Sequence, residues 1–180
     1  CVSLASCDPL EVVRGPAQAS GTFVASTSPG IDLAQHVLGR CTFGLRPGDR
    51  SAFLALAPQP RAAAAAWIEE QLAPQRIDDE RAERAVRRCD SLDAPIGELY
   101  EYKPQILLRE LTEAALLRAT FSNRQLYEVL VEFWTDHFNI DSSKGECAWL
   151  KAGDDREVIR KHAFGRFPEL LRASAFSPAM

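Results

Sequence analysis

No stretch of this chain is apolar for long enough to cross a bilayer. A spanning helix needs roughly 20 such residues, and the longest alanine-rich run, Arg61 to Trp67, is soon followed by Glu69 and Glu70. Positive charge is not in excess either: 21 Lys and Arg stand against 25 Asp and Glu, a net charge of −4. That balance has no general attraction for phosphate, so nucleic acid is not expected as a partner. The cysteines show no C-x-x-C spacing, which argues against a structural zinc site. Also missing are a G-x-S-x-G elbow, a phosphate-cradling glycine loop and an H-E-x-x-H pair. The sequence therefore assigns no catalytic residue, no metal ligand and no cofactor.

What is present suits one globular domain. At 180 residues, 46% hydrophobic and 26% charged, the chain can bury about two thirds of the surface its unfolded form exposes. Residues 1–30 are rich in Ser, Gly, Pro and other small residues without periodicity, and they read as an extended arm or tether. Residues 31–180 read as a helical domain. The first residue is Cys1, not methionine. One reading makes Cys1 a lipid-attachment cysteine of an exported bacterial protein. Cys7, Cys41, Cys89 and Cys147 could then form two disulfides, in any of three pairings, in an oxidising compartment. The other reading is a fragment that happens to start on an ordinary cysteine, with the remaining thiols free and buried.

Beyond the arm the pattern is helical throughout. Asp32 is placed to cap a helix that carries Leu33, Val37 and Cys41 on one face, with Gly44 as its stop. Pro60 and Pro74 bracket another helix. The segment Asp78–Cys89 puts acids first and arginines last, matching the helix dipole, and reads as a salt-laced surface helix. Pro104 opens a helix with Leu107, Leu111, Ala114 and Leu117 as its apolar stripe. Ser122 and Gln125 have capping-box spacing, which predicts that the next helix starts at Ser122.

That next helix is apolar around most of its circumference. Leu126, Leu130, Phe133 and His137 form one stripe; Tyr127, Val131, Trp134 and Phe138 form another. Arg124, Glu128, Glu132 and Thr135 are left as a narrow polar side. Such a helix must be covered on several sides, so the expectation is a central helix with His137 buried, neutral and hydrogen-bonded. Asp136 points about 100° away from His137 and cannot easily share a small site with it. The fold expectation is all-α: an irregular multi-helix orthogonal bundle around a central aromatic-rich helix, with an extended N-terminal arm.

Three segments, in order, resemble a bacterial family known as domain of unknown function 1800. The first, QHVLGRCTFG, supplies Arg40, Phe43 and Gly44. The second, LVEFWTDHF, is similar to a Phe-Trp-His-Asn-His-Phe signature through Phe133, Trp134, His137 and Phe138. The third, VIRKHAFGRFPELLRASAFSPAM, matches at Ile159, Arg160, Ala163, Gly165, Phe167, Leu170, Leu171 and the closing Pro178, Ala179 and Met180. The signature's first histidine is Thr135 here and its asparagine is Asp136, so half of any histidine pair is lacking. Family members continue past the Pro-Ala-Met run, where this chain stops. The resemblance implies a helical, exported bacterial protein and no particular reaction.

The functional expectation is a non-catalytic accessory or structural subunit of a membrane-associated assembly. It would sit in the periplasm or another extracytoplasmic space. Its partners would be protein subunits of a membrane complex, and a lipid on Cys1 would hold it at the membrane surface. The alternative is a metal-assisted hydrolase of an envelope substrate, built on convergence of His36, His137 and His162.

Overall fold

The structure is a computed structural model that describes residues 31–180. The expected arm, with Cys1 and Cys7, lies outside the described residues. Local chemistry sets the helix ends. Helix α1 (Leu33–Cys41) starts where the Asp32 carboxylate accepts from the amides of Ala34 and Gln35, at 3.1 and 3.3 Å. It stops at Thr42, and Gly44 follows at φ 131°, a left-handed conformation that favours glycine. Helix α2 (Asp49–Ala55) is preceded by Gly48, also left-handed. Pro60 opens α3 (Pro60–Gln71), and Pro74 stands just past its end, so the two prolines do bracket it.

These three helices close over small side chains. Ala34, Val37 and Leu38 of α1 meet Ala63 and Ala64 of α3, and Phe53 of α2 is wedged beneath them at 1% exposure. Alanine at the contact lets the helix axes approach closely, so that one phenyl ring fills the remaining space.

Helix α4 (Glu80–Val86) lies along α5 (Pro104–Phe121). It carries the expected surface ion pairs, Arg84 with Glu80, while Arg81 sits over the Phe121 ring. Two short 3-10 turns (Asp90–Leu92 and Glu98–Glu101) lead into α5, where Leu107 and Ala114 are buried as the stripe requires. Helices α6 (Gln125–His137) and α7 (Cys147–Asp154) follow, and α7 runs straight into a π-helical segment (Asp155–Arg160). Helix α8 (Phe167–Ala175) is the last helix of the described residues. No strand occurs among the described residues, so this part of the chain is all-α. Val131, Val158, Ile159, Ala163 and Leu170 form the core that joins α6 to the π segment and α8.

The start of α6 differs from expectation. Ser122 closes α5 rather than capping α6, whose first helical residue is Gln125. The Ser122 hydroxyl donates to Asp79 at 2.8 Å and accepts from the Arg124 amide, while Asp79 also accepts from the Asn123 amide. Gln71 reinforces the corner by donating to the Asn123 carbonyl and accepting from the Leu126 amide. Buried Asp79 and Gln71 thus satisfy the orphan amides that a capping box would have served. These partners come from distant parts of the chain, which local spacing could not indicate.

Helix α6 packs against α1, α3, α5 and the π segment, and of its two expected apolar stripes only that of Tyr127, Val131, Trp134 and Phe138 meets the core. Its buried residues are Gln125, Glu128 and Val131, whereas Phe133 and His137 are exposed. Of the expected polar side, Glu128 is buried while Glu132 stays exposed.

Candidate cavity and its charged floor

Glu128 is buried because Arg160 meets it. The guanidinium forks onto the carboxylate, with Nη1 3.1 Å from one oxygen and Nη2 2.9 Å from the other. Its third donor, Nε, reaches Asp155 at 2.9 Å. Bidentate geometry of this kind is among the stronger polar contacts a protein makes. Burial disfavours the Arg160 charge, but Asp155 and Glu128 more than offset this and hold its pKa above the ordinary value.

The π segment makes the Asp155–Arg160 contact possible. On an ordinary helix two residues five apart point about 140° away from each other. A π turn closes its hydrogen bonds over five residues and brings them to one side. Tyr127 locks the end of the segment, donating its hydroxyl to the Arg160 carbonyl at 2.7 Å, and burial pushes the Tyr127 pKa up. One helical turn pair further on, the Trp134 indole N–H donates to the Ala163 carbonyl. Arg118 approaches the same network from α5; burial first, then the like charge of Arg160, lowers its pKa.

This network floors a cavity of about 370 Å³ between α5, α6, α7 and the π segment. Leu111, Ala115 and Ala119 of α5 form one wall. Along α6, Glu128, Val131, Thr135 and Phe138 face it at helical spacing. Exposed Leu116 and Phe43 stand at the rim. Lys151 and Asp154 of α7 close the far end. Lys151 Nζ donates to the Ile140 carbonyl at 2.8 Å. Asp154 is buried, and one of its oxygens accepts from the Ser177 hydroxyl at 2.6 Å. Burial raises the Asp154 pKa, with Asp155 adding to the effect and the Ser177 bond opposing it.

His137 is corrected from a core residue to a surface one. It stacks on exposed Phe133, with ring centroids 6.0 Å apart, and meets Trp134 and Phe138 edge-on. Phe167 of α8 extends this group through Trp134 and Phe138. The reason is competition for the inner face. Once Glu128 and Arg160 pair beside Val131, the helix rotation that buries them turns Phe133 and His137 outward. His36 is exposed on α1 and His162 half-buried beyond the π segment. Among the described residues no three His, Cys, Asp or Glu side chains converge as a metal-holding group.

The other residues marked by the sequence are spread over the fold. Arg40, Phe43 and Gly44 are exposed around the end of α1, and the Phe43 amide donates to Gln125. Gly165 makes the turn before α8, donating to the His162 carbonyl at 2.8 Å. Cys41, Cys89 and Cys147 carry free thiols and sit in three separate clusters. Two disulfides among four cysteines need at least one bond between two of these three, and none joins them here. Each packs instead as a small apolar side chain, and burial raises the thiol pKa of Cys41 and of Cys89.

The cavity's acidic residues carry little local signal: the pattern puts Glu128 on the polar side of its helix and does not mark Asp154 or Asp155. The available signal was Arg160 itself, a charged residue set among the apolar Val158, Ile159 and Ala163, which needed a buried partner.

Residues 36–180 match the model of one protein family, described as "Protein of unknown function (DUF1800)". No curated protein and no solved structure matches the chain.

Proposed function

The chain belongs to the DUF1800 family, and on that footing we propose that it is a non-catalytic accessory subunit that docks onto a protein partner in a membrane-associated bacterial assembly. One observation carries this reading: the exposed aromatic group in which Phe133 and Phe167, 53% and 48% exposed, flank Trp134, His137 and Phe138. Aromatic side chains at this exposure, held rigid by ring-to-ring packing, are the residues that protein interfaces favour. Leu171, four residues after Phe167 on α8, continues the apolar surface. Contiguous apolar surface of this sort marks an interaction site more often than scattered single residues do.

The test is recovery of the full chain from membranes in mild detergent. The expected result is co-migration with a stoichiometric protein companion, lost when Phe133 and Phe167 are both replaced by Ser. A monodisperse monomer with no companion overturns the proposal. The membrane setting, with attachment through Cys1, is part of the same reading, and the intact mass of the native chain tests it through the lipid increment.

The alternative, a metal-assisted hydrolase of an envelope substrate, drew on three histidines. Those residues stand on separate parts of the described fold, and no observation favours that reading over docking.

A further inference from the structure

The cavity beneath α5 and α6 is a second feature, which shares only Phe138 with the aromatic face. Its volume of about 370 Å³ falls within the range of small-molecule sites, which are characteristically apolar with a few placed polar groups. Which ligand it suits follows from the atoms left over at its floor. Both Glu128 oxygens are taken by Arg160, and so is one oxygen of Asp155. One Asp154 oxygen is taken by Ser177. The second oxygen of Asp154 and the second oxygen of Asp155 have no hydrogen-bond partner among the described residues.

The two lining cations already hold partners, though each keeps N–H donors to spare. Three of the Arg160 donors already point at carboxylates, and Lys151 is tied to the Ile140 carbonyl. Four carboxyl groups (Glu128, Glu132, Asp154 and Asp155) line the cavity against these two bases. An anion entering here would meet an excess of like charge and spare acceptors. A neutral apolar molecule would leave the two oxygens unsatisfied.

We propose that the cavity binds an amphiphilic primary amine, its ammonium group placed on the free oxygens of Asp154 and Asp155 and its hydrocarbon body between Ala115, Ala119 and Val131. An ammonium has three donors and no acceptor, which matches the two carboxylate oxygens left without a partner. The charge-assisted contact gains from the low local dielectric. Burial holds the Asp154 carboxyl above its ordinary pKa, and an ammonium at that position relieves the cost of ionising it.

The experiment titrates the full chain with three probes that share a phenylethyl body: 2-phenylethylamine, 2-phenylethanol and 3-phenylpropanoate. Binding is read by calorimetry and by perturbation of backbone amide resonances around the cavity. The amine is expected to bind about tenfold or more tightly than the alcohol, and the carboxylate most weakly. Asp154→Asn keeps an acceptor for Ser177 while removing the charge; it should cut amine affinity about tenfold and leave the alcohol unchanged. Ala119→Phe fills the cavity and should abolish all three. Equal affinities for the three probes, perturbations away from the cavity, or no binding of the amine overturns the proposal on the unaltered chain alone. An unchanged amine preference in Asp154→Asn overturns the assigned anchor.

Discussion

Arg160 grips Glu128 with two nitrogens while both are largely shielded from bulk water: their side chains are 15% and 8% exposed. Removing one member of such a pair leaves the other charged and buried, which costs about 3–5 kcal/mol. Glu128→Gln and Arg160→Met are each expected to lose stability on that scale in denaturant unfolding. The double variant Glu128→Gln, Arg160→Met should lose less than the sum, because it removes both members of this pair and leaves only Asp155 without its Arg160 contact. Additive losses would mean that the two side chains do not act as a unit.

Asp154 ties stability to pH. Its folded-state pKa is raised from the ordinary 3.8, chiefly by burial, with Asp155 adding and Ser177 and Lys151 opposing. Between the ordinary value and the raised one, the folded chain holds more protons than the unfolded chain. Stability therefore falls as pH rises through that window and stays lower above it. Asp154→Asn should be more stable than the parent at neutral pH, and its pH–stability curve should lack that part of the slope. Parallel curves for the two proteins across the mildly acidic range would sink the assignment.

The corner between α5 and α6 depends on one hydroxyl. Ser122 both donates to Asp79 and accepts from the Arg124 amide. Ser122→Ala leaves both partners short in a buried place, a loss of about 1–3 kcal/mol. Thermal or denaturant unfolding measures it. A change within about 0.5 kcal/mol, as for an ordinary surface site, would show that the corner is held without this residue.

His137 yields the opposite expectation. It is exposed, it meets Phe133, Trp134 and Phe138 only ring to ring, and no hydrogen bond among the described residues uses its imidazole. His137→Ala should shift stability by about 0.5 kcal/mol or less. Phe53→Ala is the matched control, since Phe53 is fully buried in the α1–α3 core and its loss should cost about 3–5 kcal/mol. Similar losses for both variants would place His137 back in a core.

Much of this architecture could be read along the chain because its causes are local. Asp32 caps α1 through amides two and three residues away, Pro60 and Pro104 open helices by their fixed φ, and the Leu107–Ala114 stripe repeats at helical period. Family membership was likewise legible from three short segments in order. The orientation of α6 was not. Two apolar stripes and a polar strip are compatible with several rotations of one helix, and composition favours burying the rings.

Residue order alone settled that the described chain is helical, where α1, α3 and α5 begin, and which family it joins, since capping, proline geometry and periodicity act within a few residues. Tertiary structure decided which side of α6 is inside. Glu128 and Arg160, 32 positions apart, can compensate each other's desolvation only when folded together. That pairing turned an acidic strip into the floor of a cavity and left Phe133 and His137 facing outward.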